Sequence, residues 1–464
     1  MQADYTPTQW RDLLMGELQK RRPEIQRLED WYNGNHPLPN PPKRLGTAAF
    51  EQARRAYQDL MEMGVTNWVK LVADAPAERL EVVDIRSITN AGTQSIDRTG
   101  WDRWQRYDLD AQSILVQDNA LQTGQSFVMV DPVTGEITAE HSAQMIVAYK
   151  PGSRRDIAAA LKYWDDDSGD QMTTLLLPDA VYKWQGDGKT QKERGTPVGH
   201  NLGVVSVVEF AANPSLRPSQ FGGGYSEFAG VIPIQRRINT TVFNRLTTAD
   251  AQAFRQRYII GWTPDTDDET GLPKPEAVKS LRESMLWTFD GDPNEVKVGE
   301  FGQADFTGFI KAVESDVNAM AAISKTPPHY LLGAMVNISG DALTAAESGL
   351  ASKTKKHARN FGARWEDVMR LGARVAKEPL ADDMSAEIVW ADIEHRSWGE
   401  QVDAALKMQA LGVPQEAIWE RLPNVSPQDI IRWRGMAAVE SLLTPEAPEV
   451  PEVPVAPVEP DAAA

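Results

Sequence analysis

Gly186-Asp187-Gly188-Lys189-Thr190 brings together the residue types with which a loop cradles a phosphate. That loop needs a glycine five places before Gly188, where Lys183 stands, and the following "QKERG" lacks the apolar spacing of a helix. The stretch reads as a hairpin turn, and no ATPase is expected from it. A second glycine run, "FGGGYSEFAG" from Phe221 to Gly230, precedes a helical pattern and could offer N–H groups to an anion. It has no clear preceding strand and no spaced acidic partner, so it is read as a flexible joint. His36, His141, His200, His329, His357 and His395 are scattered without a pair at metal-ligand spacing. The acidic pairs Asp267–Asp268 and Asp382–Asp383 fall in polar stretches without partners for metal binding or acid–base work. With no cysteine in the chain, thiolate zinc sites, disulfides and a cysteine nucleophile are excluded. No catalytic residue, metal or cofactor is expected.

The charges that stand out are basic ones in an acidic chain. Net charge is −18, which argues against a protein that coats nucleic acid through a basic surface. Leu343 to Lys377 nevertheless holds 8 basic and 3 acidic residues, whereas Glu378 to the end holds 5 and 17. On a helix, Lys353, Lys355, Lys356, Arg359 and Arg364 form a polar flank beside a stripe of Leu350, His357 and Phe361. A solvated face, a salt-bridging surface between subunits and contact with DNA phosphates all remain open for that flank.

The elements that must hold these residues follow from period. With 464 residues, 41% hydrophobic and 25% charged, the chain has ordinary globular composition and exceeds the size of one core, so two or more domains are expected. No apolar run is long enough to cross a bilayer, and "MQADYTPTQW" has no secretion-signal pattern, which predicts a soluble chain. Trp10, Leu13, Leu14 and Leu18, then Ile25, Leu28 and Trp31, predict two short helices interrupted at Pro23. A helix-to-strand passage is expected over Leu71 to Arg86, and a helix from Ala111 closed by Gly124. "SFVMVDPVTGEITAEH" has a hairpin signature, and "TTLLLP", "AVYKW" and "GVVSVVEF" read as strands, so residues 1 to about 220 form one α+β domain.

Helices dominate afterwards. One is expected from Ile232 to Tyr258, and Phe306, Phe309, Ile310, Val313, Val317, Met320 and Ile323 mark a second. The insert between them predicts a short helix near Glu276 to Glu283 and a strand near Met285 to Phe289. Pro327 and Pro328 cannot continue the second helix. Gly333 to Asp341 then supplies turn-forming residues, which predicts a mobile loop between two rods. A helix of more than 30 residues follows from Leu343, with Ser339 or Asp341 as cap and Thr344 with Glu347 at capping-box spacing. The tail carries proline at 445, 448, 451, 454, 457 and 460, the period of polyproline II, and reads as a solvated extension.

"WYNGNHPLP", "LVADAPAERLEV", "ALQTGQSFVMVDP", "GGGYSEFAGVIPIQRRINTTVFNRL", "AISKTPPHYLLGAMVNISGDALTAAESGL" and "FGARWEDVMRLG" occur in this order across most of the chain. In that order and spacing the chain resembles the portal proteins of tailed double-stranded DNA bacteriophages, particularly those of long-tailed phages. The resemblance implies an α+β portal fold assembled as a ring of about twelve copies at one capsid vertex, with no enzymatic activity and no cofactor. The ring would be the conduit for genome packaging and ejection and the platform for head–tail joining; the alternative is a head-to-tail adaptor without a translocation role. By this resemblance residues 1–225 form a wing, 226–260 and 301–328 the stem helices, 261–300 a clip, 329–342 a tunnel loop, 343–396 a long helix returning to the wing, 397–442 a helical crown and 443–464 a tail.

Met335, Val336, Asn337, Ile338, Ser339, Gly340 and Asp341 are then the loop facing DNA. Lys353, Lys355, Lys356 and Arg359 are contacts to DNA or a neighbouring subunit, and Asp265, Asp267, Asp268, Lys274, Lys279 and Arg282 meet partners at the clip. Implied partners are the terminase large subunit, a head-completion or adaptor protein, major capsid and scaffolding proteins, and double-stranded DNA passing through without base reading. No membrane is involved. The implied location is the virion's portal vertex, after assembly in the host bacterial cytoplasm.

Overall fold

The computed structural model describes residues 5–39, 55, 57–86, 99–186, 191–216, 220–253, 257–261, 297–300, 302, 304–333, 340–394, 398–419, 422, 425 and 427–443. The chain opens with α1 (Pro7–Tyr32), a single helix of 26 residues rather than two short ones. Thr6 and Gln9 close a reciprocal capping box at its start. Pro23 removes one backbone donor but does not break the helix, because packing on both sides of it holds the axis. Trp10, Leu14 and Leu18 enter one apolar cluster, and Leu28 and Trp31 another. Between them the Arg22 Nε donates to the Ala143 carbonyl at 3.0 Å.

Then come α2 (Gln58–Met63), α3 (Trp68–Ala77), β1 (Val82–Arg86), α4 (Thr99–Arg106) and α5 (Leu109–Thr123). Gly124 ends α5 at φ 94°, in the left-handed region that the sequence assigned to it. Two antiparallel sheets follow. β2 (Gln125–Val130) pairs with β3 (Ile137–Glu140) on one side and β10 (Val207–Ala211) on the other. β4 (Met145–Tyr149), β5 (Ile157–Asp165), β6 (Gln171–Leu176), β7 (Ala180–Gly186) and β8 (Gln191–Glu193) form a meander, with β9 (Val198–Gly199) also on β7. β7 and β8 pair antiparallel with Gly186 opposite Gln191, so the ladder agrees with a hairpin at "GDGKT", although residues 187–190 lie outside the described set.

α6 (Ile232–Ala253) and α7 (Thr307–Ser324) form a two-helix arm. The first helix stops before Tyr258, which lies in β11 (Arg257–Ile260), paired antiparallel with β12 (Lys297–Glu300). The run "RYII" has the β-branched and aromatic content of a strand, and the ladder satisfies backbone groups that a longer helix would have used. Next are α8 (Pro328–Leu332), α9 (Gly340–Ala376), β13 (Glu387–Trp390), α10 (Trp398–Ala410), α11 (Gln415–Trp419) and α12 (Pro427–Leu443).

The main core is not contained in the first 220 residues. Phe361, Trp365, Val368 and Met369 of α9 pack with Trp104, Leu121, Val128 and Phe210, and Trp365 meets Trp104 edge-on at 5.0 Å between rings. β13 also returns to pair with β1, placing Arg86 opposite Glu387. The strand-rich part is thus finished by a helix more than a hundred residues downstream, which buries its apolar stripe there.

Candidate functional site

The root of the arm is where four elements converge. Ile232, Ile234, Ile238 and Val242 of α6 and Val317, Met320 and Ala321 of α7 pack with Leu28 and Trp31 of α1 and Val69 and Val72 of α3. A polar chain threads this apolar cluster. Trp68 N–H donates to Gln235 Oε1 at 3.0 Å, Gln235 Nε2 donates to Asn239 Oδ1 at 2.8 Å, and Asn239 Nδ2 lies 3.1 Å from His36 Nδ1. An amide donor on Nδ1 leaves Nε2 as the protonated nitrogen, which donates to the Trp31 carbonyl at 2.8 Å. Burial depresses the His36 pKa, in keeping with a neutral ring.

The glycine run is an anchored joint, which corrects its reading as a flexible one. Gly223 N–H donates to Glu209 Oε1 at 2.6 Å, and Tyr225 N–H to the Ala212 carbonyl at 2.9 Å. Gly222 and Gly223 have φ of 67° and 109°, and a Cβ on Gly224 would overlap the Ala212 carbonyl oxygen. Only glycine fits, for reasons of space and backbone angle together. Glu209 itself is buried against the Tyr149 hydroxyl, 2.6 Å away, and burial raises its pKa.

The segment after α7 also departs from expectation. The helix ends before the prolines, with Lys325 at φ 55° and the Thr326 N–H bonded back to the Ala321 carbonyl at 3.1 Å. Pro328 then starts α8, where a missing donor costs nothing, and Gly333 closes that helix at φ 64°. The first residues of the expected tunnel-loop span 329–342 are thus a capped helical turn, which ends where the expected mobile loop Gly333 to Asp341 begins. Met335, Val336, Asn337, Ile338 and Ser339 lie outside the described residues, while Gly340 and Asp341 begin α9. Thr344 is therefore inside the helix rather than its cap. Glu347 does not close a box with it; it receives Arg79 at 3.3 Å, whose guanidinium also donates to the Tyr330 hydroxyl at 2.7 Å and the Ile393 carbonyl at 3.2 Å.

The basic flank divides in two. Lys353 turns inward and pairs with Glu227 at 3.0 Å while donating to the Ser324 carbonyl at 2.8 Å. Glu227 also receives His357 at 3.0 Å and Asn213 at 2.8 Å. Burial alone would raise the Glu227 pKa, but the bond from His357 and the Lys353 charge bring it down to about 2. Burial lowers the Lys353 pKa, outweighing the pull of Glu227. The carboxylate gathers several donors, whereas the ammonium has one counter-charge. Lys355 pairs with Glu394, and Lys356 and Arg359 have no carboxylate partner among the described residues. These outward cations line a cleft of about 1700 Å³ between the end of α7, the middle of α9 and α10, together with Lys325 and Ile323.

Asp265, Asp267, Asp268, Lys274, Lys279 and Arg282 lie outside the described residues; β11 and β12 mark where their segment leaves and rejoins the chain. Sequence reasoning missed Arg79 and Glu227. The available signals were a lone arginine inside the apolar "ADAPAERLEV" run and a lone glutamate directly after the glycine joint. Among the described residues no helix is long and apolar enough to cross a membrane, and no cluster of three His, Cys, Asp or Glu could hold a metal.

Lys353 with Glu227 and Arg79 with Glu347 brace the elements against one another, while Lys356 and Arg359 face the cleft. Residues 12–441 match the family described as Phage portal protein, SPP1 Gp6-like. A protein named "Portal protein" from Mycobacterium phage D29 is 28% identical over 371 residues, covering 75% of this chain and 73% of the relative. Its namesake from Mycobacterium phage L5 is also 28% identical, over 390 residues, covering 78% and 76%. Among solved structures, a chain from the neck of a native gene transfer agent particle aligns with 81% of this chain and 93% of its own length, at TM-score 0.44 and 13% identity. The family match spans the two sheets, the arm, the long helix and most of the C-terminal helices, and so the chain belongs to the phage portal protein family.

Proposed function

We propose that identical copies of this chain close into a ring at one capsid vertex, through which double-stranded DNA is packed and later released, and on which the tail is joined. The observation that carries this reading, beside the family, is the far half of the arm. No described residue of α7 before Val317 is buried, and Ile310 is 45% exposed. Leu406, Leu411, Ile431, Met436 and Val439 in the C-terminal helices are exposed as well. Apolar side chains in such number on two extended features need covering, and rotational repetition of one chain supplies the cover without leaving an open end.

The chemistry suits a conduit. A channel must let a polyanion slide without holding it, and a net charge of −18 per copy supplies few phosphate contacts. Met335 to Asp341 would face the duplex without reading bases, and the clip, 261–300, would meet the terminase large subunit and later a head-completion protein. Major capsid and scaffolding proteins would surround the ring. The chain would act as a structural part rather than an enzyme, within the virion. Deleting Val336 to Gly340 tests the conduit: rings should still form, but particles should fail to package or retain DNA. Infectious particles from that deletion would point instead to a head-to-tail adaptor without a translocation role.

A further inference from the structure

A ring built by rotation joins one surface of each copy to a different surface of the next. Two unlike surfaces of this protomer fit that requirement. The first is the cleft beside α9, where Lys325, Lys356 and Arg359 have no carboxylate partner among the described residues and Ile323 is 63% exposed. The second is a ridge on α5. Asp110, Ile114 and Asp118 follow one another at helical spacing, with Leu115 beside them. Ile114 and Leu115 are 55% and 62% exposed, although the opposite face of the same helix is core. Neither carboxylate has a cation bonded to it among the described residues, although Asp110 accepts from Trp104 Nε1 at 2.7 Å and Gln105 Nε2 at 2.9 Å. Burial and the nearby Asp74 and Glu78 raise the Asp118 pKa, with Lys70 the one cation opposing them.

We infer that the α5 ridge of one copy seats in the α9 cleft of the next, Asp118 and Asp110 meeting Lys356, Arg359 and Lys325 while Ile114 and Leu115 cover Ile323. This rests on the ring reading above and assigns its contact. The carboxylates, eight residues apart on one helix, span about 12 Å, and Ile114 lies between them. The two surfaces are separate within a protomer. Arg79 lines the cleft, while Glu78 and Leu80 line the groove that Asp110, Ile114 and Asp118 also line, so the α3–β1 turn divides the two surfaces and both can be occupied at once. Duplex DNA fits the cleft less well, because Glu347, Glu394 and Glu400 line it too.

The test is charge exchange. A cleft variant, Lys356→Glu with Arg359→Glu, and a ridge variant, Ile114→Lys with Asp118→Lys, should each lose at least about tenfold in assembled fraction while melting like the parent. Mixed in equal amounts they should assemble again, in alternation, because each cleft then meets a ridge of opposite sign. Normal assembly of either variant alone, or a mixture of folded variants that stays apart, overturns the inference. So does a cleft variant that assembles normally but loses DNA retention. The absence of native cysteine allows a second measurement that does not need the charge variants to fold. Ile114→Cys combined with Ser352→Cys should give a ladder of disulfide-linked copies when assembled particles are oxidised, and intact rings without a ladder refute the contact. A parent protein that never assembles refutes the ring reading itself, a result distinguishable from all of these.

Discussion

The root and the far half of the two-helix arm are made from the same two helices and are held in opposite ways. At the root, Ile238 and Val317 are completely buried, Gln235 and Asn239 are bonded into a chain ending at His36, and Gly224 closes against the Ala212 and Gly124 carbonyls. Seven residues further out along α7 from Val317, past the Arg237–Asp316 pair at 2.6 Å, the surface carries exposed Ile310. The difference teaches where the protomer ends as a physical object. Its apolar clusters close up to the root, and beyond it Ile310 faces solvent.

Substitutions can break that contrast in graded steps. The largest effect is expected from Gly224→Val, whose branched side chain would collide with the carbonyls of Ala212 and Gly124. The loss should exceed about 4 kcal/mol and appear as failure to recover folded protein. Ile238→Ala, at a fully buried root position, should cost about 3 kcal/mol, read as a lowered denaturant midpoint. Glu227 sharpens the comparison through pH. Its folded pKa, about 2, lies below its ordinary value, so its contribution is complete above pH about 4.5 and is lost as pH falls toward 2. That contribution is about 3 kcal/mol, and Glu227→Gln should remove this acid-dependent part of the melting curve while lowering stability at neutral pH. At the far half, Ile310→Asp should change protomer stability by less than about 0.5 kcal/mol, yet weaken assembly measured by sedimentation.

Legibility in the sequence follows the same division. Gly124, the β2–β3 hairpin and the long helix through Leu350, Phe361 and Trp365 were readable, because each is set by local period or by a residue with special backbone freedom. Pro23 misled, since a local helix breaker was overruled by apolar clusters gripping both flanks. The glycine run misled for a related reason: glycine signals freedom in an unfolded chain, but here it serves close backbone approach that only tertiary structure creates. The basic cluster was visible as charge, whereas its division into an inward Lys353 and outward Lys356 and Arg359 depended on Glu227, more than a hundred residues away. The family resemblance is borne out by the family match over residues 12–441.

Single-particle imaging of the purified, full-length chain tests the central claim most directly. The account predicts a closed ring of about twelve copies around an open channel, with the exposed far halves of α6 and α7 covered by adjacent copies. Particles that remain single protomers at virion-like concentration and salt, with Ile310 still facing solvent, would contradict it.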